Sequence, residues 1–246
     1  MSQKVAAIIC AAGASSRFGG KRKKAFVDVS GRAVFLRSVE LFSEHNDVKQ
    51  VLLGIAEDDR ELVNVKWGPN LKFFGVSIFI GGAERFDTVR KGLELVKDDI
   101  DLVAVHDACR CCVTKEIIDE VISAAAESKA AIPASPVTAT IKEAKDNLIT
   151  KTVERSNLFE AQTPQIFDAS LLKKAYDNLK NLDKSTISDD AQLIEALGQK
   201  VTIVETDASN IKITRQSDIA VAEAILKSRP KKIPEGPAGP YIEAQW

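Results

Sequence analysis

Short apolar runs alternate along most of the chain with longer stretches whose apolar residues recur at helical spacing, and that alternation allows few folds. The runs at Val5–Cys10, Val48–Ile55, Val76–Ile80, Leu102–Val105, Ala130–Pro133 and Val201–Val204 read as buried strands. Between them AVFLRSVELFSEH, ERFDTVRKGLELV, TKEIIDEVISAAAES and SDIAVAEAILKS read as amphipathic helices, with Thr114 and Ser217 as N-caps, each followed by an acid in the first turn. Strands taking turns with helices predict an α/β fold, a mostly parallel Rossmann-like sheet covered on both faces. Ligands bind such sheets beyond the carboxyl ends of the strands. Two segments break the rhythm. Residues 138–159 alternate as a hairpin does and read as an inserted arm, and the proline-rich stretch 229–246 reads as a tail following one domain over 1–228.

Composition narrows the function classes. A chain of 246 residues with 45% hydrophobic residues can bury a sizeable core, and 34 Lys and Arg against 35 Asp and Glu leave a net charge of −1. That balance gives no general attraction to nucleic acid or to an anionic membrane, so any basic site must be local. No apolar run approaches the ~20 residues needed to span a bilayer. Three of the 4 cysteines crowd together as Cys109, Cys111 and Cys112, a poor disulfide framework, which points to a reduced, cytoplasmic protein with the thiols as apolar filling.

The stretch CAAGASSRFGGKRKK follows the first strand, where small residues let main-chain amides approach an anion and where Arg17 and Lys24 can fold around one polyphosphate. It matches neither the P-loop nor the dinucleotide fingerprint. On local residues alone, a phosphate loop and a solvated or nucleic-acid-binding basic turn both remain open.

The ordered set AAGASSRF, a lysine before AF, GGAERFDTV, VHDACR, TPQIF, and NIKIT followed by SDIAVAEAIL resembles the methylerythritol phosphate cytidylyltransferases over roughly residues 4–228. The resemblance implies transfer of CMP from CTP to 2-C-methyl-D-erythritol 4-phosphate, with pyrophosphate released, in a homodimer whose arms join the subunits. It implies that Arg17 and Lys24 hold the triphosphate and that Lys212 stabilises charge building at the α-phosphate. Asp107, with Asp207 as a second acid, would carry Mg²⁺ and contact substrate. Ala11, Ala12, Gly13, Gly81, Gly82 and Thr88 would read the cytosine, with Arg85 bracing their loop, while Arg110, Thr140 and Arg155 would bind the acceptor phosphate. A ribitol-phosphate cytidylyltransferase, or a silent nucleotide-binding protein on the same fold, are the alternatives. The nucleophile is an ionised phosphate, so no protein base is needed, and His106 is expected to brace its loop. Lys23 stands where the family has a proline and Ala25 where it has glutamine, which predicts a less constrained loop.

Overall fold

A computed structural model describes residues 3–15, 18–19 and 23–230. The run VAAIIC forms β1 (Val5–Cys10), buried from Val5 to Ile9 and paired in parallel on both sides, which is why it shows no polar alternation. A small hairpin of β2 (Asp28–Val29) and β3 (Arg32–Ala33) leads into α1 (Val34–Ser43), whose Val34, Phe35, Val39 and Phe42 enter the core. There follow β4 (Val48–Ile55), α2 (Arg60–Phe73), β5 (Ser77–Ile80), α3 (Arg85–Leu93) and β6 (Leu102–Asp107).

The second half begins with α4 (Lys115–Ser128), capped by the Thr114 hydroxyl accepting from the Ile117 N–H, and β7 (Ala130–Pro136). Two strands, β8 (Ile141–Lys145) and β9 (Leu148–Val153), then pair only with each other among the described residues, joined through Asp146 and Asn147, both at positive φ. The chain returns through β10 (Phe159–Ala161) and β11 (Gln165–Asp168) to α5 (Ala169–Asp177), α6 (Ala191–Glu195), β12 (Thr202–Glu205) and α7 (Ser217–Ser228). In the main sheet β5, β4, β1 and β6 run parallel, β11 is antiparallel between β6 and β7, and β12 pairs in parallel with the far side of β7. The expected α/β architecture holds, and the hairpin expected within 138–159 stands clear of the sheet.

Four departures have physical causes. The strand read as Leu102–Val105 continues through His106 and Asp107, because the His106 ring is fully buried between Ser38 (3.2 Å from Nε2) and Thr163 (3.2 Å from Nδ1) and passes as core. Helix α2 runs through Gly68–Pro69, a breaker signal. Its buried Val63, Trp67 and Leu71 recur at one-turn spacing and outweigh the proline. The antiparallel β11 carries only four residues and no alternation that would separate it from a loop. Ser217 is not an N-cap: it is the first residue of α7, and Asp218 instead accepts from the N–H groups of Thr214 and Arg215 at 2.7 and 2.8 Å.

Candidate active site

The chain moves from β1 to β4 and β5 on one side and later returns to β6 on the other, so β1 and β6 flank a topological switch point. Their last residues are register partners, Cys10 opposite Asp107. A cavity of about 420 Å³ opens beyond them. Its walls come from the loop after β1 (Ala11 to Ser15), the turn bearing Lys24, the loop before α3 (Gly82 to Arg85), and Asp107 and Lys212. Sequence motifs point to most of these segments. A Cβ on Gly13 would meet nothing within 4 Å, so the backbone there faces open space, as an anion-binding loop requires.

Charge is concentrated around Asp107. Its Oδ1 accepts from Arg85 Nε at 2.7 Å, and its Oδ2 lies 2.5 Å from Lys212 Nζ. Burial opposes ionisation of this carboxyl, but the charges and hydrogen bonds of Arg85 and Lys212 outweigh it and hold the group well below the usual carboxylate range. Lys24 also lines the cavity, and its backbone N–H donates to the Ser15 hydroxyl at 3.2 Å. Arg17 lies outside the described residues. One carboxylate set among cations suits a divalent ion that arrives on a polyphosphate, because Mg²⁺ commonly takes one or two carboxylates and fills its sphere with phosphate oxygens and water.

On the expected base side, the Gly82 N–H donates to Thr88 Oγ1 at 3.0 Å, and Thr88 Oγ1 lies 3.3 Å from the Glu84 carbonyl. A Cβ on Gly81 would come within 2.7 Å of both Ala12 Cβ and Thr88 Oγ1, so close packing of the two loops demands glycine there. Arg85 does not brace this loop as expected. It bridges Asp107 to Asp190 Oδ2, 2.6 Å from Nη1, while Lys91 Nζ holds the loop by donating to the Gly81 carbonyl at 2.7 Å.

The remaining assigned residues are placed elsewhere. Arg110, half-buried, donates to the carbonyls of Asn210 (2.6 Å) and Ala161 (3.1 Å), tying the VHDACR loop to the NIKIT loop. Thr140 and Arg155 sit exposed on the arm, where the Arg155 guanidinium donates to the Thr138 carbonyl, and neither lines the cavity. Asp207 does not line it either; its Oδ1 accepts from the Ser209 N–H at 2.7 Å, and hydrogen bonding to Ser209 keeps its carboxyl below the usual range. His106, expected to brace a loop, lies inside β6 and hydrogen-bonds Ser38 and Thr163, and burial pushes its pKa down to about 3, so it stays neutral near pH 7. Among the described residues all four cysteines are free. Burial pushes the cavity-lining thiols of Cys10 and Cys109 up to about 12 and about 11, consistent with filling rather than nucleophilic chemistry.

Sequence reasoning missed the supports. Thr163, in TPQ, receives the Asp107 N–H at 3.0 Å while touching His106, and Asp190 and Tyr176 sit behind Arg85. The TPQ motif was visible but had no chemistry of its own to announce. The loop also carries a tether in place of the absent proline: Lys23 Nζ lies 2.7 Å from Asp59 at the start of α2, and Phe26 stacks on Trp67 at 5.6 Å. Because both partners are largely buried, Lys23→Met is expected to raise KM for the nucleotide about three- to tenfold with little change in kcat. Steady-state kinetics check this, and an unchanged KM would show that the pair does not position Lys24.

Comparisons with known proteins agree with this geometry. The family model for 2-C-methyl-D-erythritol 4-phosphate cytidylyltransferase (IspD) matches residues 5–228. A protein of that name from Endomicrobium trichonymphae is 44% identical over 226 residues, 92% of this chain and 100% of its own length. Its namesake from Alkaliphilus oremlandii is 38% identical over 228 residues, 92% of this chain and 96% of its own. The crystal structure of the enzyme so named from Thermus thermophilus superposes with a TM-score of 0.72 at 31% identity, over 92% of this chain and 100% of that one. With a match this long, and with the cations and carboxylate gathered at the switch point, the chain belongs to the 2-C-methyl-D-erythritol 4-phosphate cytidylyltransferase family.

Proposed function

We propose that this chain transfers CMP from CTP to 2-C-methyl-D-erythritol 4-phosphate, forming CDP-methylerythritol and pyrophosphate in isoprenoid precursor synthesis. Family membership supports the substrates, and the convergence of Lys24, Lys212 and Asp107 on one cavity is the observation that carries the chemistry. A phosphate oxygen of the acceptor attacks the α-phosphorus of CTP. An O–P bond forms there, the bond to the bridging oxygen of the β-phosphate breaks, and its electron pair leaves with pyrophosphate. No proton has to be removed from the nucleophile, which agrees with a histidine held neutral in the core instead of facing substrate.

The protein's task is then to align two anions and offset their charge. Lys24, with Arg17, holds the triphosphate, and Lys212 meets the charge that grows at the α-phosphate. The loops around Ala11 to Gly13 and Gly81 to Thr88 read the base, and Arg110 lies on the acceptor side. Mg²⁺ would be held by Asp107 and would neutralise phosphate charge; Asp207, expected as a second acid, does not line this cavity and accepts from the Ser209 N–H instead. Thr140 and Arg155, exposed on the arm and away from their own chain's cavity, fit a homodimer in which each arm reaches the partner's acceptor site. Buried, unpaired thiols suit a cytoplasmic enzyme, and among the described residues no helix is long and apolar enough to cross a membrane.

Pyrophosphate release with CTP, Mg²⁺ and each candidate polyol phosphate tests the reading. Turnover is expected with methylerythritol phosphate, with CTP preferred over other nucleotides and with activity lost on chelation. Equal or faster turnover with ribitol phosphate would overturn the acceptor assignment, and no turnover with any acceptor would mean a silent nucleotide-binding protein.

A further inference from the structure

We propose that Asp190 is a positioning residue for this transfer: held behind Arg85, it fixes which oxygen of Asp107 faces the cavity and so where Lys212 stands. The inference rests on the cytidylyltransferase reading above. Asp190 lies just before α6 and is only 1% exposed, in a stretch that no part of the proposed mechanism uses. Its backbone is fixed to the sheet by Gln165 of β11, whose Oε1 accepts from the N–H groups of Asp190 (3.0 Å) and Ala191 (3.1 Å) and whose Nε2 donates to Asp189 at 2.8 Å. Both carboxylate oxygens are engaged. Oδ1 accepts from the Tyr176 hydroxyl at 2.5 Å, and Oδ2 accepts from Arg85 Nη1 at 2.6 Å.

Arg85 is therefore gripped from two directions, by Asp190 on Nη1 and by Asp107 Oδ1 on Nε. A guanidinium facing a single carboxylate prefers to take both of its oxygens in a parallel fork. Asp190 pins the guanidinium from its Nη1 side, so that only Nε reaches Asp107, Nη2 is left without a partner, and Asp107 Oδ2 is left for Lys212, 2.5 Å away. The four groups alternate in charge from the core outward to the cavity wall: Asp190, Arg85, Asp107, Lys212. Their order places Lys212, the most exposed side chain of the four, at the cavity end. Without the inner carboxylate, Arg85 keeps Asp107 as its one counter-ion here and is free to turn its Nε and unpartnered Nη2 onto both Asp107 oxygens, drawing Asp107 away from Lys212.

Asp190→Asn keeps the shape and an acceptor for Tyr176 but loses the charge that holds Arg85. It is expected to lower kcat about tenfold or more while KM for CTP stays within about threefold. The penalty should nearly vanish when the change is made in a Lys212→Ala background, because the two act through one chain of contacts; a lesion that merely loosens the core would multiply instead. Arg85→Lys, whose single nitrogen cannot stand at both the Nε and the Nη1 position, should reproduce the kcat loss and decides the matter if Asp190→Asn does not fold. Tyr176→Phe should lower Tm yet keep kcat within about threefold, since the Asp190–Arg85 pair survives. An active wild type beside an Asp190→Asn or Arg85→Lys enzyme within about twofold of it in kcat overturns this inference alone. Wild type inactive with every acceptor would overturn the functional reading and this inference with it.

Discussion

Lys212→Ala is expected to lower kcat by a factor on the order of 10² or more while changing the affinity for CTP far less. The reasoning starts from what holds Lys212 in the free enzyme. Its ammonium rests on Asp107 Oδ2, at the wall of the cavity and with its side chain 39% exposed, so it is poised at the surface that substrate will touch. Negative charge on the α-phosphate grows as the acceptor oxygen and the leaving pyrophosphate share the phosphorus, and a cation placed there gains more from the transition state than from bound CTP. Lys24 makes the useful contrast. A clamp on the triphosphate acts in the ground state as well, so Lys24→Ala should raise KM for CTP and lower kcat together. Asp107 retains Arg85 when Lys212 is removed, so the fold should survive the change and Tm should move little. Pre-steady-state rates of pyrophosphate release with saturating CTP check the prediction, and an unchanged kcat would refute the role of Lys212.

The sheet was legible because the buried stretches of its inner strands are mostly apolar, and β1, buried from end to end apart from Cys10, is the clearest case. What stayed hidden depends on partners distant in sequence. β11 becomes a strand only by fitting antiparallel between β6 and β7, and α2 tolerates Pro69 because Trp67 finds Phe26 and Phe35 to pack on. In the site, the residues that face the cavity lie in short motifs after strands, where sequence can reveal them. The residues behind them do not announce themselves in that way. Nothing local in SDDAQ says that Asp190 lies 2.6 Å from an arginine more than a hundred positions earlier, or that Gln165 binds the turn in place. Lys23 illustrates the same limit from the other side: the missing proline suggested a looser loop, and only the fold brings Asp59 close enough to tether it.

Mixing two inactive variants is expected to restore activity, and the arm is the reason. Among the described residues β8 and β9 pair only with each other, Thr140 and Arg155 flank this ribbon at its base, and its Leu148 and Ile149 are exposed. A ribbon of two strands with apolar side chains in water is poorly stable alone, so a second subunit is the natural cover. If the arm delivers Arg155 to the partner's acceptor site, then Arg155→Ala damages the neighbouring site while Lys212→Ala damages the site in its own chain. Both homodimers should be nearly inactive. Co-expression with random pairing gives about half heterodimers, and each has one site with both lesions and one with neither. Activity should therefore recover to about a quarter of wild type, half the dimers each contributing one good site of two. Were Arg155 to serve its own chain, every heterodimer site would keep one lesion and nothing would return. Purified heterodimers of confirmed stoichiometry that are no more active than the two mutant homodimers would therefore rule out the shared site and leave Arg155 to the arm's own pairing.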